Sequence, residues 1–205
     1  MPKIHFTSDT HFSQERTFKY SMRNMYFSSV EEMDRVMVDN WNSVVSSEDI
    51  VFHLGDFGSW GMVKYLNGYI TLLEGNYERE GKNGTLTPEN ERYFASIMSS
   101  PFIKLRTGRI VLVHEPHHIE NLGGNIYPNN PEFYLFGHIH EKQKVKRNGL
   151  NVGVDVHNFT PISWDTVNFY REAVKNIYDA DCFENFEFEG DLNTLCSQES
   201  NTSKR

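Results

Sequence analysis

The chain is poor in cysteine: Cys182 and Cys196 are the two it has in 205 residues, both near the C-terminus, so no disulfide framework underlies the fold. It also lacks any run near the ~20 consecutive apolar residues that a membrane span requires. Its first residues, Met1-Pro2-Lys3-Ile4-His5-Phe6, enter a strand-like pattern without the apolar stretch of a signal peptide. A cytoplasmic protein with no membrane partner is the expectation. Basic residues are the minority, 20 against 28 acidic, for a net charge of −8. That balance speaks against a broad face for duplex nucleic acid or an anionic membrane. A small anionic substrate stays compatible if cations gather at one place. With 14 glycines and 7 prolines and no internal repeat, fibrous and solenoid classes are excluded.

What the chain does have is 38% apolar and 14% aromatic residues, enough for one domain with its own core, expected over residues 1–178. Residues 179–205 hold seven acidic and two basic side chains, with Asn, Ser and Thr frequent after Phe188. This end reads as a flexible, acidic C-terminal tail. Before it, strand and helix patterns alternate. Strands are expected at 3–8, 50–54, 69–73, 102–105, 109–113 and 133–136, and helices at 29–45, 60–66, 89–98 and 166–177. The 29–45 helix opens on a Ser29/Glu32 capping box and buries Met33, Met37, Trp41, Val44 and Val45. Segments 142–147 and 150–154, joined through Asn148-Gly149, read as a hairpin. This order implies a layered α/β or α+β sandwich.

Five of the strands are each followed by residues able to bind metal. They are Asp9 and His11, Asp56 in Gly55-Asp56, Asn76 in Gly75-Asn76, His114, and His138 and His140 in Gly137-His138-Ile139-His140. In open α/β sheets ligands bind at the carboxyl ends of strands, so these loops are expected to converge on one crevice. Imidazole mixed with carboxylate suits transition metals rather than magnesium or calcium. Seven ligands exceed what one ion uses; two ions about 3.5–4 Å apart, sharing a carboxylate, use them well.

Taken in order, Asp9-Thr10-His11, Gly55-Asp56, Gly75-Asn76-Tyr77-Glu78, His114 and Gly137-His138-Ile139-His140 resemble the calcineurin-like metallophosphoesterases. The family pattern is D-x-H, G-D, G-N-H-[DE], H and G-H-x-H. The stretch Asn151-Val152-Gly153-Val154-Asp155 is similar to the small bacterial and phage members. The resemblance implies a four-layer α/β/β/α sandwich with a dinuclear centre of two divalent transition-metal ions. Manganese comes first, with zinc, iron, nickel or cobalt as alternatives. It implies one ion on Asp9, His11, Asp56 and His140, and the other on Asp56, Asn76, His114 and His138, with Asp56 bridging.

One position departs from the family. Tyr77 stands where the family has a histidine that protonates the leaving group or holds the phosphate. A phenol, with a pKa of about 10, is the weaker acid at neutral pH. A monoester dianion gains more from cationic help than a diester does, so a phosphodiesterase is expected. Its nucleophile is a hydroxide bridging the two ions, and Asp56, Tyr77 and His114 are its catalytic residues. The substrate is a small phosphodiester or nucleotide. A phosphomonoesterase or pyrophosphohydrolase with the same site is the nearest alternative, and a non-catalytic metal-binding scaffold the third. Glu78 is expected to orient the site from behind.

The candidate substrate contacts are His117, His118 and Arg16. Arg16, Lys19 and Arg23 recur three and four residues apart, as a solvated helix face does and as a guide for phosphate would. His5 and His53 fall inside strand patterns and read as core or sheet-surface residues; His157 follows a strand and reads first as structural, with a place on the rim as the second reading. Of Phe12, Tyr20, Tyr26, Phe27, Phe57 and Trp60, most are expected in the core, while one or two could stack on a base.

Overall fold

Short runs of β-branched and aromatic residues make ten strands in the computed structural model, which describes residues 1–99, 102–104, 110–118, 133–146 and 148–177. The acidic tail lies outside the described residues. The first sheet joins β1 (Ile4–Thr7), β2 (Ile50–His53), β3 (Tyr69–Leu73) and β4 (Phe94–Met98) in parallel, with β10 (Ile162–Ser163) antiparallel beside β1. The second contains β5 (Phe102–Lys104), β6 (Ile110–Val113), β7 (Phe133–Phe136), β8 (Val145–Lys146) and β9 (Gly149–Asn151), in the order β5-β6-β7-β9-β8. Its three central strands are parallel and its two edges antiparallel.

Side-chain alternation along these strands builds the layers. Phe6 and Leu54 from the first sheet meet Ile110, Leu112, Phe133, Leu135 and Leu150 from the second, and this is the core between the sheets. The opposite face of the first sheet presents Val51, Ile70 and Leu72 to α2 (Val30–Val44). Helix α2 buries Met33, Met37 and Trp41 at helical spacing. On the far side of the second sheet Val111, Val113, Tyr134 and Phe136 are buried in turn. Strands β6 and β7 are therefore buried on both faces, which explains their unbroken apolar runs. Helix α5 (Trp164–Ile177) starts at Ser163, whose Oγ accepts from Thr166 N at 3.2 Å, and packs Val167 into the intersheet core. The architecture is thus the expected sandwich of two parallel-rich sheets with helices against them.

Four local expectations need correction. The 89–98 helix splits into one turn, α4 (Pro88–Glu91), capped by Thr87, and strand β4. Pairing β4 with β3 satisfies backbone groups that would otherwise form an open edge, and this outweighs the helical spacing of a short segment. In the capping box, Ser29 Oγ accepts from Glu32 N at 3.2 Å, but the Glu32 carboxylate reaches Ser28 N at 2.7 Å instead of Ser29. Val44 is exposed, and Val30 takes a place on the buried face. In the hairpin Gly149 is a strand residue paired with Lys146, so it lies past the turn that Asn148-Gly149 was expected to make. Helix α1 (Glu15–Tyr20) carries no apolar period of its own; the spacing of Arg16 and Lys19 was its one sign in the sequence.

Candidate metal centre

The parallel strands deliver their carboxyl ends to one place. Asp9 and His11 follow β1, Asp56 follows β2, and Asn76 opens the single turn α3 (Asn76–Arg79) after β3. From the second sheet, His114 follows β6, and His138 and His140 follow β7. Sharp turns are needed to bring these side chains inward. Asp9, His11, Asp56, His138 and His140 all have positive φ, between 48° and 73°, a conformation that non-glycine residues avoid. Gly55 has φ 99°, and a Cβ on it would lie 2.4 Å from Gly75 N. A Cβ on Gly137 would lie 2.3 Å from Asp9 Oδ2, so only glycine lets the last loop reach the first.

The donors form two groups. Asp9, His11 and His140 offer atoms within 4.8 Å of one another, and Asp56, His114 and His138 do the same. Asp56 lies between them: its Oδ2 is 3.5 Å from His11 Nε2 and its Oδ1 is 3.5 Å from His114 Nε2. Asn76 Oδ1 is 3.0 Å from His114 Nε2 and 3.1 Å from His138 Nδ1. Asp9, His11, Asp56 and His114 are buried, whereas Asn76, His138 and His140 are half-buried.

Three of the four imidazoles are aimed by a partner on the far nitrogen. His11 Nδ1 bonds Gln14 Oε1 at 2.7 Å, His114 Nδ1 donates to the Leu54 carbonyl at 2.7 Å, and His140 Nδ1 bonds Asp155 Oδ2 at 2.8 Å. All three therefore present Nε2 to the centre. His11 Nε2 is buried there without a hydrogen-bond partner. His114 Nε2, its other nitrogen already protonated, faces oxygens of Asn76 and Asp56. Converging lone pairs of this kind call for a cation, so the donors fit a divalent metal.

The titration behaviour points the same way. Burial opposes charge on His114, yet the hydrogen bond and charge of Asp56, with Asp9 and the Leu54 carbonyl, push it up to about 9. Burial pushes His11 down to about 4. Burial also opposes ionisation of Asp56, but His114, His11 and the Tyr77 amide hold its carboxyl well below the usual range. The centre is a place built for positive charge next to a fixed carboxylate.

Three supports lie behind the donors. Glu78 accepts from the backbone N–H groups of Asp56, Phe57 and Gly75, each at 2.8 Å, and so ties the β2 and β3 loops together. Arg23, completely buried, grips Asp155 with two hydrogen bonds of 2.7 and 2.8 Å and donates to the carbonyls of Thr10 and Asp9. Asn151 holds the His140 carbonyl at 2.8 Å, and its own carbonyl accepts from His157 at 2.7 Å.

Residues 3–158 match the calcineurin-like phosphoesterase superfamily domain. The chain belongs to that superfamily. An uncharacterised protein of Methanocaldococcus jannaschii is 32% identical over 176 residues, covering 82% of this chain and 90% of that protein. In structure, a protein of unknown function from Aquifex aeolicus aligns at TM-score 0.63 and 22% identity, over 82% of this chain and 99% of the other. A novel archaeal phosphodiesterase aligns at TM-score 0.45 and 20% identity, over 78% and 98%. As a calcineurin-like phosphoesterase, the chain is a hydrolase of phosphate esters with Asp and His groups able to hold metal.

The structure brings all seven expected ligands of this phosphoesterase together, and it sorts the remaining candidates. Tyr77 lies at the centre's edge, its ring against that of His11 at 4.6 Å. Arg16 lines the cleft beside Tyr77 and His140. His117 and His118 gather instead around Glu115, at 3.3 and 4.0 Å, and Glu115 also pairs with Arg79. Arg23 leaves the solvated or phosphate-guiding face: Met22, at φ 58°, turns the chain so that Arg23 points inward. His53 is core, as expected, bonded to Thr10 Oγ1 at 2.9 Å. Gln14, Asn151 and the Arg23–Asp155 pair brace the donor loops, and sequence reasoning gave none of them that place. Of these, Asn151 and Asp155 had a signal, as the two ends of Asn151-Val152-Gly153-Val154-Asp155.

Proposed function

We propose that the protein is a two-metal phosphodiesterase. One observation carries the reading: Asp56 stands between two His/Asp groups, with one carboxylate oxygen toward each. Asp9, His11, Asp56 and His140 would hold one divalent ion, and Asp56, Asn76, His114 and His138 the other. Ions so held supply an acidified water and a positive field for the phosphoryl oxygens.

The chain's own residues do the rest. Gln14, Leu54 and Asp155 fix the tautomers of His11, His114 and His140, so that these three rings need not turn before the substrate binds. Glu78 holds the Asp56 and Asn76 loops in register through three backbone hydrogen bonds. Tyr77, placed against His11, offers a phenolic hydroxyl at the position where family members have an imidazole. A phenol is a weaker acid than an imidazolium, and this suits a monoanionic diester with a good leaving group better than a monoester dianion. The test is hydrolysis, with Mn2+ added, of bis- and mono-p-nitrophenyl phosphate and of 2′,3′- and 3′,5′-cyclic nucleotides. Faster turnover of the diesters supports the reading. A preference for monoesters replaces it with the monoesterase alternative.

A further inference from the structure

Accepting the phosphoesterase reading of the centre, we infer that the group carried by the phosphate is a nucleoside, with its base against Tyr20 and Tyr77. The centre is lopsided. On the side of Asp56, His114 and His138 it is flanked by the Glu115 cluster with Arg79, His117 and His118. On the side of Asp9, His11 and His140 it opens into a cleft of about 400 Å³, a size that takes a small organic ligand. That cleft runs from His140 and Tyr77 to helix α1, and Arg16, Tyr20 and Lys142 line it. A bare phosphate is held at the metals and leaves this space unused.

The lining describes what fills it. Tyr20 is 82% exposed, a ring left in water at the mouth of the site. The Arg16 guanidinium lies 5.9 Å over that ring, and the Lys82 ammonium 4.8 Å over the ring of Tyr77. Arg16 and Lys142 have no carboxylate partner among the described residues, although the chain carries a net charge of −8. Two cations without a carboxylate partner among the described residues, beside an exposed Tyr20 ring and the Tyr77 ring that lines the same cleft, match an anionic ligand that brings its own flat ring, the arrangement by which bases are stacked without sequence readout. Glu141, also in the lining, is the acceptor for an exocyclic amine or a ribose hydroxyl.

The experiment measures binding, separately from turnover. Calorimetry on the full chain loaded with Mn2+ compares AMP with ribose 5-phosphate, which differ by the base alone. AMP is expected to bind about tenfold tighter or more. Tyr20→Ala should remove about that factor from AMP and leave ribose 5-phosphate unchanged, Tyr20→Phe should retain it, and Arg16→Gln should weaken both ligands. Equal affinity for the two, or equal losses on Tyr20→Ala, overturns the inference. The two readings fail separately. Base-dependent binding without any diester hydrolysis sinks the reaction and keeps the cleft; diester hydrolysis without a base effect does the reverse.

Discussion

Replacing Arg23 with Met should cost the fold about 3–5 kcal/mol, although Arg23 is no metal ligand. Arg23 is completely buried, and its guanidinium makes two hydrogen bonds to Asp155 and one each to the carbonyls of Thr10 and Asp9. Methionine fills similar space but leaves a buried carboxylate with His140 as its sole counter-charge among the described residues. Breaking one side of such a pair is worth about 3–5 kcal/mol, a large share of a typical total of about 5–15. Urea unfolding in EDTA reads this without a metal contribution, as a shifted midpoint at constant slope. A double variant, Arg23→Met with Asp155→Leu, removes both charges and should recover part of the loss. It should also bind Mn2+ about 10–100-fold more weakly than wild type, since His140 loses its orienting partner. A single-variant loss below about 1 kcal/mol, or a double variant no better than the sum of the singles, would show that the pair carries no buried charge energy.

Other outcomes follow from the same contacts. Glu78→Ala strands three backbone N–H groups, so it should lose about 2–4 kcal/mol in the same urea assay, with Glu78→Gln milder. Tyr77→Phe should lower diester kcat/KM about tenfold, and Tyr77→His should shift the diester-to-monoester ratio towards monoesters. Burial holds His53 down to about 3 and His157 down to about 4. The unfolded chain binds their protons first, so metal-free stability should fall as pH drops below about 6.5, by about 2 kcal/mol per histidine at pH 5. His114, pushed up to about 9, acts oppositely: its contribution is present below about 6.5 and is lost as pH rises to 9. A thermal midpoint that stays flat from pH 7 to 5 would contradict both burial assignments.

The donors themselves were legible because each sits within four residues of a strand's carboxyl end, and strand ends converge in a parallel sheet whatever the loops do. Asp9, Asp56 and His114 needed no more than that. Glu78 was legible as an orienter because it lies two residues past Asn76. Arg23 was not, because its periodicity with Arg16 and Lys19 belongs to a surface helix, while one left-handed residue, Met22, sends its side chain to a carboxylate 132 residues away. Gln14 was missed for a similar reason: three residues after His11, it reads as loop until the turn folds its amide back to the imidazole. Strand β4 was hidden because a segment that fits either period is decided by the open edge of β3, which exists only in the assembled sheet.

The central claim is that Asp56 is shared by two ions. Crystals grown with Mn2+ and measured at the manganese absorption edge test it directly. The account predicts two anomalous peaks about 3.5–4 Å apart, one beside His11 and one beside His114, each within bonding distance of an Asp56 oxygen, and the loss of both metal and activity in Asp56→Asn. A single peak, or two peaks of which one does not touch Asp56, would contradict it.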